Sequence, residues 1–275
     1  MKTSLGWYKN QWLDIDQILI SANNRGLKFG DGIFETILIR KNKPILLDEH
    51  LKRLEKSSKL LNINLKINTI TLKKLINDGI RKLALKNEQF GSVRINYSRG
   101  NNKGRTLKIN STLEANELDN LWLEFFHIKP NFSPIKVFIS QKEKRNEFSL
   151  ISKCKTFSYN QAIQVLSEAN KKCFDDSILL NTSGELCCGS TFNLLIKRNN
   201  RWITPRKESG CLEGIMITQA LKLNIVKEEL IYPKFLVDDI IVAINSLSCK
   251  QILKVNDLKF KPKFDPIYFW DLLYN

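Results

Sequence analysis

Around residue 48 the chain changes the spacing of its apolar residues. The preceding run, LKFGDGIFETILIRKNKPILL, consists of two β-type stretches broken by KNKP, whereas from Asp48 onward His50, Leu51, Arg53, Leu54, Leu60 and Leu61 follow a helical period. A chain that passes from period 2 to period 3.6 within so few residues must pack a strand against a helix, which rules out all-helical and all-β architectures. Asp48 can cap the first turn of that helix, and His50 and Arg53, three apart, share one face of it. Gly30 and Gly32 bracket Asp31; glycine there permits a positive φ or a close backbone approach, and marks a hairpin with a special bend at its start.

The same alternation recurs along the chain. Residues 6–20 read as a short strand pair, and a second amphipathic helix near Thr71–Leu85 aligns Leu72, Leu75, Ile76, Ile80 and Leu83. SVRINYSRG alternates as a strand and enters the basic loop GNNKGR; a polar stretch at 110–120 is expected as a surface excursion before the strand LWLEFFHI. KPNFSP, at 129–134, has two prolines and no periodicity, the character of an interdomain linker. Beyond it come the strand IKVFISQ, a helix over Thr156–Asn170 with Ala162, Ile163, Leu166 and Ala169 inward, and strands separated by Asn/Gly turns from 176 to 205. A helix near Gly214 and further β material from 237 to 255 complete the pattern. The expectation is an α+β chain of two parts, each a sheet with a few helices: an N-terminal domain at 1–126, a linker at 127–134 and a C-terminal domain at 135–275.

Composition narrows the function classes. A chain of 275 residues can bury full cores without disulfide or metal staples. Cys154, Cys173, Cys187, Cys188, Cys211 and Cys249 include no CxxC pair and have only two histidines beside them, so small buried thiols in a reducing compartment are expected, with no metal site. No segment approaches the roughly 20 apolar residues of a membrane span, and the N-terminus lacks the apolar core of a signal peptide, so a cytoplasmic protein is expected. The net charge of +16 is scattered along the chain without a zinc finger, RNP-type motif or basic arm. It reads as a solvated surface with room for a basic pocket that takes an anionic substrate, not as a nucleic-acid face.

Several blocks then stand in a definite order: RGLKFGDGIFETI at 25–37, HLKRL at 50–54, KTFSY at 155–159, GELCCGSTFN at 184–193, TP at 204–205, GCLEGIM at 210–216 and NSL at 245–247. Together they resemble the class IV aminotransferases, the fold-type IV pyridoxal-phosphate enzymes, over nearly the whole chain. The resemblance implies a D-amino acid aminotransferase-like fold, with a smaller N-terminal α/β domain and a larger, mostly β C-terminal domain with helices. It also implies pyridoxal 5'-phosphate as cofactor and a homodimer.

Roles follow from the same resemblance. Lys155 would form the imine link to the cofactor, its amine kept partly neutral by desolvation. Arg53 would grip the phosphate with its planar fork, helped by the backbone amides of Ile215 and Met216 at a helix start and by Ser246. Tyr159 would meet the cofactor phenolate or pack its ring in the core. Cys188 stands where the family has a glutamate that pairs with the pyridine nitrogen and makes the ring an electron sink. Glu185 does not replace it, because in a regular strand Glu185 shares a face with Cys187 and opposes Cys188. A thiol, with an ordinary pKa near ~8.5, substitutes poorly for a carboxylate. Ser158 and Ile217 are smaller departures, from an asparagine and an arginine.

Three activities compete within the resemblance: branched-chain aminotransferase, D-amino acid aminotransferase and 4-amino-4-deoxychorismate lyase. SRGNNKGR resembles the loop of the lyase and D-amino acid branches, but Phe34 and Leu107 stand where the D-amino acid branch carries a tyrosine and a histidine. The lyase is the better match, with Arg99 and Arg105 as candidates for the substrate carboxylates. A homologue that binds the cofactor with weak or no turnover, because of Cys188, is the remaining alternative.

Overall fold

The computed structural model describes residues 4–86, 89–102, 104–109 and 119–274. These divide into two compact units, Met1–Lys129 with Cys154–Ser158, and Pro130–Lys153 with Tyr159–Asn275.

The first unit is one mixed-length sheet with helices on one face. Strands β1 (Ser4–Tyr8) and β2 (Gln11–Leu13) are joined by Lys9 and Asn10, both at positive φ. Such left-handed two-residue turns match the twist of a hairpin, and asparagine tolerates them well. Helix α1 (Arg25–Phe29) follows, then β3 (Gly32–Arg40) and β4 (Lys43–Pro44), again joined by a Lys-Asn turn, then α2 (Leu47–Leu60) and α3 (Thr69–Leu83). Strands β5 (Phe90–Ser98) and β6 (Leu121–Ile128) complete the order β2-β1-β6-β5-β3-β4. Ile33, Ile37 and Ile39 of β3 meet Leu51 and Leu54 of α2 and Leu72, Ile76 and Ile80 of α3 in the core. Gly79 lets α3 come down on Phe125, whose ring would lie 2.1 Å from any Cβ placed there.

Three local expectations are corrected here. RGLKF is helical, because the Asn24 side chain accepts from the Gly26 amide and Gly30, at φ 67°, ends the turn. Helix α2 starts from Leu46 in the left-handed region with no side-chain cap, so Asp48 lies inside the first turn. The expected linker overlaps β6, where His127 and Ile128 pair with Gly91 and Phe90. Most of the polar stretch at 110–120 lies outside the described residues.

A fourth difference concerns the lysine block. The segment 154–158 is extended and belongs to the first unit rather than to the C-terminal part. The Phe34 amide donates to the Lys155 carbonyl, the Phe157 amide donates to the Gly32 carbonyl, and Ile33 bridges Thr156. The Phe157 ring fills the space left by Gly26 and Gly32, where an added Cβ would come within 2.9 and 2.3 Å of it. This pairing overrides helix propensity, so the helix expected from Thr156 begins only at Asn160.

The second unit starts with β7 (Ile135–Arg145), α4 (Asn160–Lys171), β8 (Asp176–Asn181) and β9 (Leu186–Gly189). Next are β10 (Asn193–Arg198), β11 (Arg201–Pro205), α5 (Ile215–Lys222) and β12 (Val226–Glu229). Strands β13 (Ile240–Asn245), β14 (Ser248–Val255) and β15 (Leu258–Lys259) and helix α6 (Pro266–Leu272) end the chain. The sheet order is β12-β11-β10-β13-β14-β7-β8-β9, and an Asn193–Cys188 pairing also brings β9 to β10. Strands β10, β13, β14, β7, β8 and β9 therefore form a closed ring around Val137, Ile178, Leu186, Leu194, Ile196, Ala243 and Ile252. Helix α4 buries Val165 and Ala169, whereas Ile163 and Leu166, expected inward, are 56% and 37% exposed. Among the described residues no helix is long and apolar enough to cross a membrane.

Candidate active-site residues

In β3 alternate side chains face opposite sides of the first unit's sheet. Glu35 falls in the inward row with Ile33, Ile37 and Ile39 and is fully buried. Helix α2 supplies its partners from the face that its i, i+3 spacing defines. Arg53 Nε donates to Oε1 at 2.7 Å and a second guanidinium nitrogen to Oε2 at 2.6 Å, while His50 Nδ1 stands 2.7 Å from Oε2. Burial pushes the Glu35 carboxyl up, but the Arg53 charge and the bonds from Arg53 and His50 outweigh it and hold the pKa at about 2. Burial also pushes His50 down, against the pull of Glu35, so a neutral imidazole donates its Nδ1–H to the carboxylate. Arg53 is thus fixed in position by a bidentate ion pair with Glu35 in its own unit.

The opposite face carries Lys155. Lys155 Nζ lies 4.4 Å from the Phe34 ring centre and the Arg94 guanidinium carbon 3.7 Å from it. Arg94 Nε donates to Asn96 Oδ1 at 2.7 Å, Asn96 Nδ2 donates to Glu124 Oε1 at 2.9 Å, and Trp122 Nε1 donates to the same oxygen. Neither Arg94 nor Glu35 was singled out by sequence. The available signal for Glu35 was an acid in an otherwise isoleucine row; Arg94 sits in a strand whose alternation announces structure only.

Of the loop arginines, Arg99 is differently employed than expected. Its Nε donates to both carboxylate oxygens of Asp31 and its terminal nitrogens donate to the Asn62 and Leu61 carbonyls, so it ties the glycine-flanked bend to the end of α2. Arg25 Nε joins the same Asp31 at 2.7 Å, and its other nitrogens donate to the Thr106 and Leu107 carbonyls. Arg105 is exposed in that loop. Lys103 lies outside the described residues.

In the second unit Gly214 caps α5, and the first helical bond runs from Thr218 to the Gly214 carbonyl. The amides of Ile215 and Met216 therefore point out of the helix end, where they could serve a phosphate. Asn193 fixes this turn: its Nδ2 donates to the Leu212 carbonyl at 2.9 Å, and its Oδ1 would lie 1.8 Å from any Cβ at position 214. Tyr159, half-buried, caps α4. Ser246 stands in the β13–β14 turn and accepts from the Tyr274 hydroxyl through its carbonyl.

Cys188 comes with an irregularity that sequence parity did not anticipate. Leu179 pairs with Cys188 but Leu180 pairs with Leu186, so Cys187 is an extra residue, a bulge in β9. Leu186 points into the ring core, whereas Cys187 and Cys188 both join Val165, Leu179 and Cys211 on the other side. The expectation that Glu185 and Cys188 oppose each other is thus overturned. Glu185 is nonetheless occupied, accepting from Arg206, Ser209 Oγ and Asn181 Nδ2 at 2.7, 2.8 and 3.2 Å.

A family model described as amino-transferase class IV matches residues 32–255. The chain belongs to that family. Its members are pyridoxal-phosphate-dependent enzymes, aminotransferases or lyases, and this chain is one of them. The chain is 24% identical over 231 residues to branched-chain-amino-acid aminotransferase-like protein 2 of Arabidopsis thaliana, a match over 82% of this chain and only 40% of that longer protein. It is 24% identical over 218 residues to the aminodeoxychorismate lyase of Bacillus subtilis, covering 76% of this chain and 70% of the lyase. Among solved structures, the pyridoxal-phosphate-bound form of a hypothetical aminotransferase from Mycobacterium tuberculosis superposes with a TM-score of 0.80 at 19% identity, over 98% of this chain and 97% of that one.

Proposed function

We propose that this class IV enzyme is a 4-amino-4-deoxychorismate lyase, which eliminates pyruvate from its substrate to give 4-aminobenzoate. The observation that carries the reading is the Phe34 ring with the Arg94 guanidinium carbon 3.7 Å and Lys155 Nζ 4.4 Å from its centre. A flat apolar ring beside a fixed cation and an amine suits a flat six-membered ring that bears a carboxylate and loses a proton. Arg94, held by Asn96, binds the carboxylate as a charge-assisted pair. Phe34, buried, holds the Arg94 guanidinium and the Lys155 amine against its ring and so spaces them for the substrate. Lys155 removes the proton from the carbon that bears the substrate amine, and Lys155 or a water protonates the departing enolpyruvyl group.

When bound, pyridoxal phosphate supplies the electron sink for that proton loss. The donor chemistry fits it: Lys155 for its aldehyde, Arg53 and the amides of Ile215 and Met216 for its phosphate, with Ser246 and Tyr159 in supporting roles. Arg53 can serve a phosphate reproducibly because Glu35 and His50 fix its direction. The main departure from the family is Cys188, with Ser158 and Ile217 as smaller ones, and aromatisation of the product lets this elimination tolerate a weaker sink than transamination does. The working unit is proposed to be a homodimer; Phe148, Leu150, Ile151 and Ile163 offer exposed apolar surface in the second unit for a second copy. Branched-chain or D-amino acid transamination is the second reading, favoured by the aminotransferase relatives at equal identity.

Purified protein loaded with pyridoxal phosphate is expected to release 4-aminobenzoate and pyruvate from aminodeoxychorismate. Lys155→Ala should lower turnover by ~10²–10⁴-fold. Arg94→Gln should raise KM by roughly ten- to a hundredfold, the cost of a charged hydrogen bond, with kcat less affected. Full transamination of ordinary amino acids with no 4-aminobenzoate formed would overturn the lyase assignment.

A further inference from the structure

Arg145, at the end of β7, is a half-buried cation whose hydrogen-bond acceptors are all neutral. Its Nε donates to the Gly210 carbonyl at 3.3 Å, and its terminal nitrogens donate to Gln161 Oε1 at 3.3 Å and the Ser152 carbonyl at 3.0 Å. Among the described residues it forms no ion pair with a carboxylate. A cation withdrawn from water without a counter-charge is unfavourable, so the groups around it bear on how the charge is balanced.

The thiol pair of the β9 bulge lies within its electrostatic reach. Because the bulge turns both side chains to one side, Cys187 Sγ donates to Cys188 Sγ at 3.7 Å, and Cys211 lies against them in the same buried cluster. The Cys187 donation and the Arg145 charge pull Cys188 below the ordinary thiol range, against burial and the charge of Asp176. Cys187 is pushed well up, because its proton is used on Cys188, Cys211 lies beside it, and it is buried. Asp176 of β8 is engaged elsewhere, accepting from the Ser177 amide and from the amide and hydroxyl of Ser190. Burial raises its own pKa against those bonds and the charge of Lys250. Of the groups facing Cys188, two favour its charge and one carboxyl opposes it.

We propose that the proton of this pair resides on Cys187 and the negative charge on Cys188, so that a thiolate, balanced by Arg145, takes the place of the family's carboxylate as partner for a protonated pyridine nitrogen. The second half rests on the reading of the chain as a pyridoxal-phosphate lyase; the first half concerns the protein alone. The bulge is what makes the pair possible, since in a regular strand Cys187 and Cys188 would point to opposite faces.

The test is an acid titration of thiolate ultraviolet absorbance on the full chain stripped of cofactor, with far-ultraviolet dichroism as a check on folding. One thiolate should titrate below the ordinary value of ~8.5 and be missing in Cys188→Ser. Cys187→Ala and Arg145→Gln should each move that midpoint upward, and every unit of movement cuts the thiolate present at lower pH about tenfold. A wild-type midpoint in the ordinary range, or one indifferent to both variants, overturns the proposal. Alkylation of Cys188 by iodoacetamide, followed by peptide mass spectrometry, tests the second half: loading with pyridoxal phosphate should slow it at least severalfold. A thiolate that cofactor loading leaves unprotected overturns the ring-partner role. A protein that takes up no pyridoxal phosphate sinks the lyase reading and the ring-partner role together, while the titration still decides the thiolate.

Discussion

In the first unit a buried carboxylate, Glu35, meets a complete guanidinium fork and an imidazole N–H; in the second a guanidinium, Arg145, meets two carbonyls and an amide oxygen, with a pair of thiols within its electrostatic reach. Both arrangements hold an arginine rigidly, but they differ in when the charge is settled. Glu35, its pKa held at about 2, keeps its charge far below neutral pH, so its geometry with Arg53 is a fixed scaffold. The Arg145 surroundings acquire a negative charge only if one of the two thiols gives up its proton while the other keeps its own. The contrast teaches that the same cation can serve as a permanent anchor or as a proton-dependent balance, according to the acid opposite it.

The largest effect should come from removing the fixed anion. Glu35→Ala takes away the carboxylate that receives the Arg53 fork, which costs roughly 3–5 kcal/mol in comparable pairs, and a denaturant titration of the variant should show it as a lower midpoint. A midpoint within error of wild type would mean that Arg53 finds another acceptor and that the scaffold description fails.

Acid should expose the same pair. With the Glu35 pKa at about 2 against an ordinary 4.5, its contribution is present above the ordinary value and is lost as pH falls toward 2, roughly 3 kcal/mol in all. His50, held neutral, adds loss of the same sign below ~6.5, because the unfolded chain takes up a proton that the folded chain refuses. Unfolding free energy measured from neutral pH downward should therefore decline, and Glu35→Gln should flatten the lower part of the curve. An unchanged slope in that variant would place the acid sensitivity elsewhere, with Glu147, also held at about 2 by burial outweighed by bonds from Thr182 and Ser183, as the first suspect.

The smallest effect belongs to the second unit. Cys188→Ser should change stability by less than ~1 kcal/mol near neutral pH. A depressed Cys188 adds stability that is present above the ordinary thiol pKa and lost as pH falls through its own, while a raised Cys187 acts in the opposite sense at alkaline pH, so the two partly cancel. A loss as large as that of Glu35→Ala would show that the thiol pair is a structural anchor like the first.

Much of this architecture was legible in the chain. The period change at Asp48 places β3 and α2, and the lysine block identifies Lys155, because those features are local. What was hidden depends on partners far away in sequence. Glu35 reads as an ordinary polar position unless its row of isoleucines is followed, and Arg94 matters only because Phe34 and Lys155 come to the same face. Thr156–Ser158 carries a helical pattern that tertiary pairing with β3 overrides. The five-residue helix at Arg25–Phe29 is too short to show a period, although Asn24 and Gly30 are cap residues in the right places. Helix α6 was missed despite a visible start, Asp265 before Pro266, which accepts from the Ile267 and Tyr268 amides. The bulge at Cys187 has no such mark: it exists because Leu179 and Leu180 choose partners three strand positions of β9 would otherwise share evenly.

Phe157, wedged into the notch left by Gly26 and Gly32, works like a shim between the extended segment that carries Lys155 and the start of β3, two residues along from the amide–carbonyl pair that ties Lys155 to Phe34. Trading bulk between position 157 and positions 26 and 32 is expected to raise or lower that segment on the sheet, a way to move Lys155 without changing Lys155 itself.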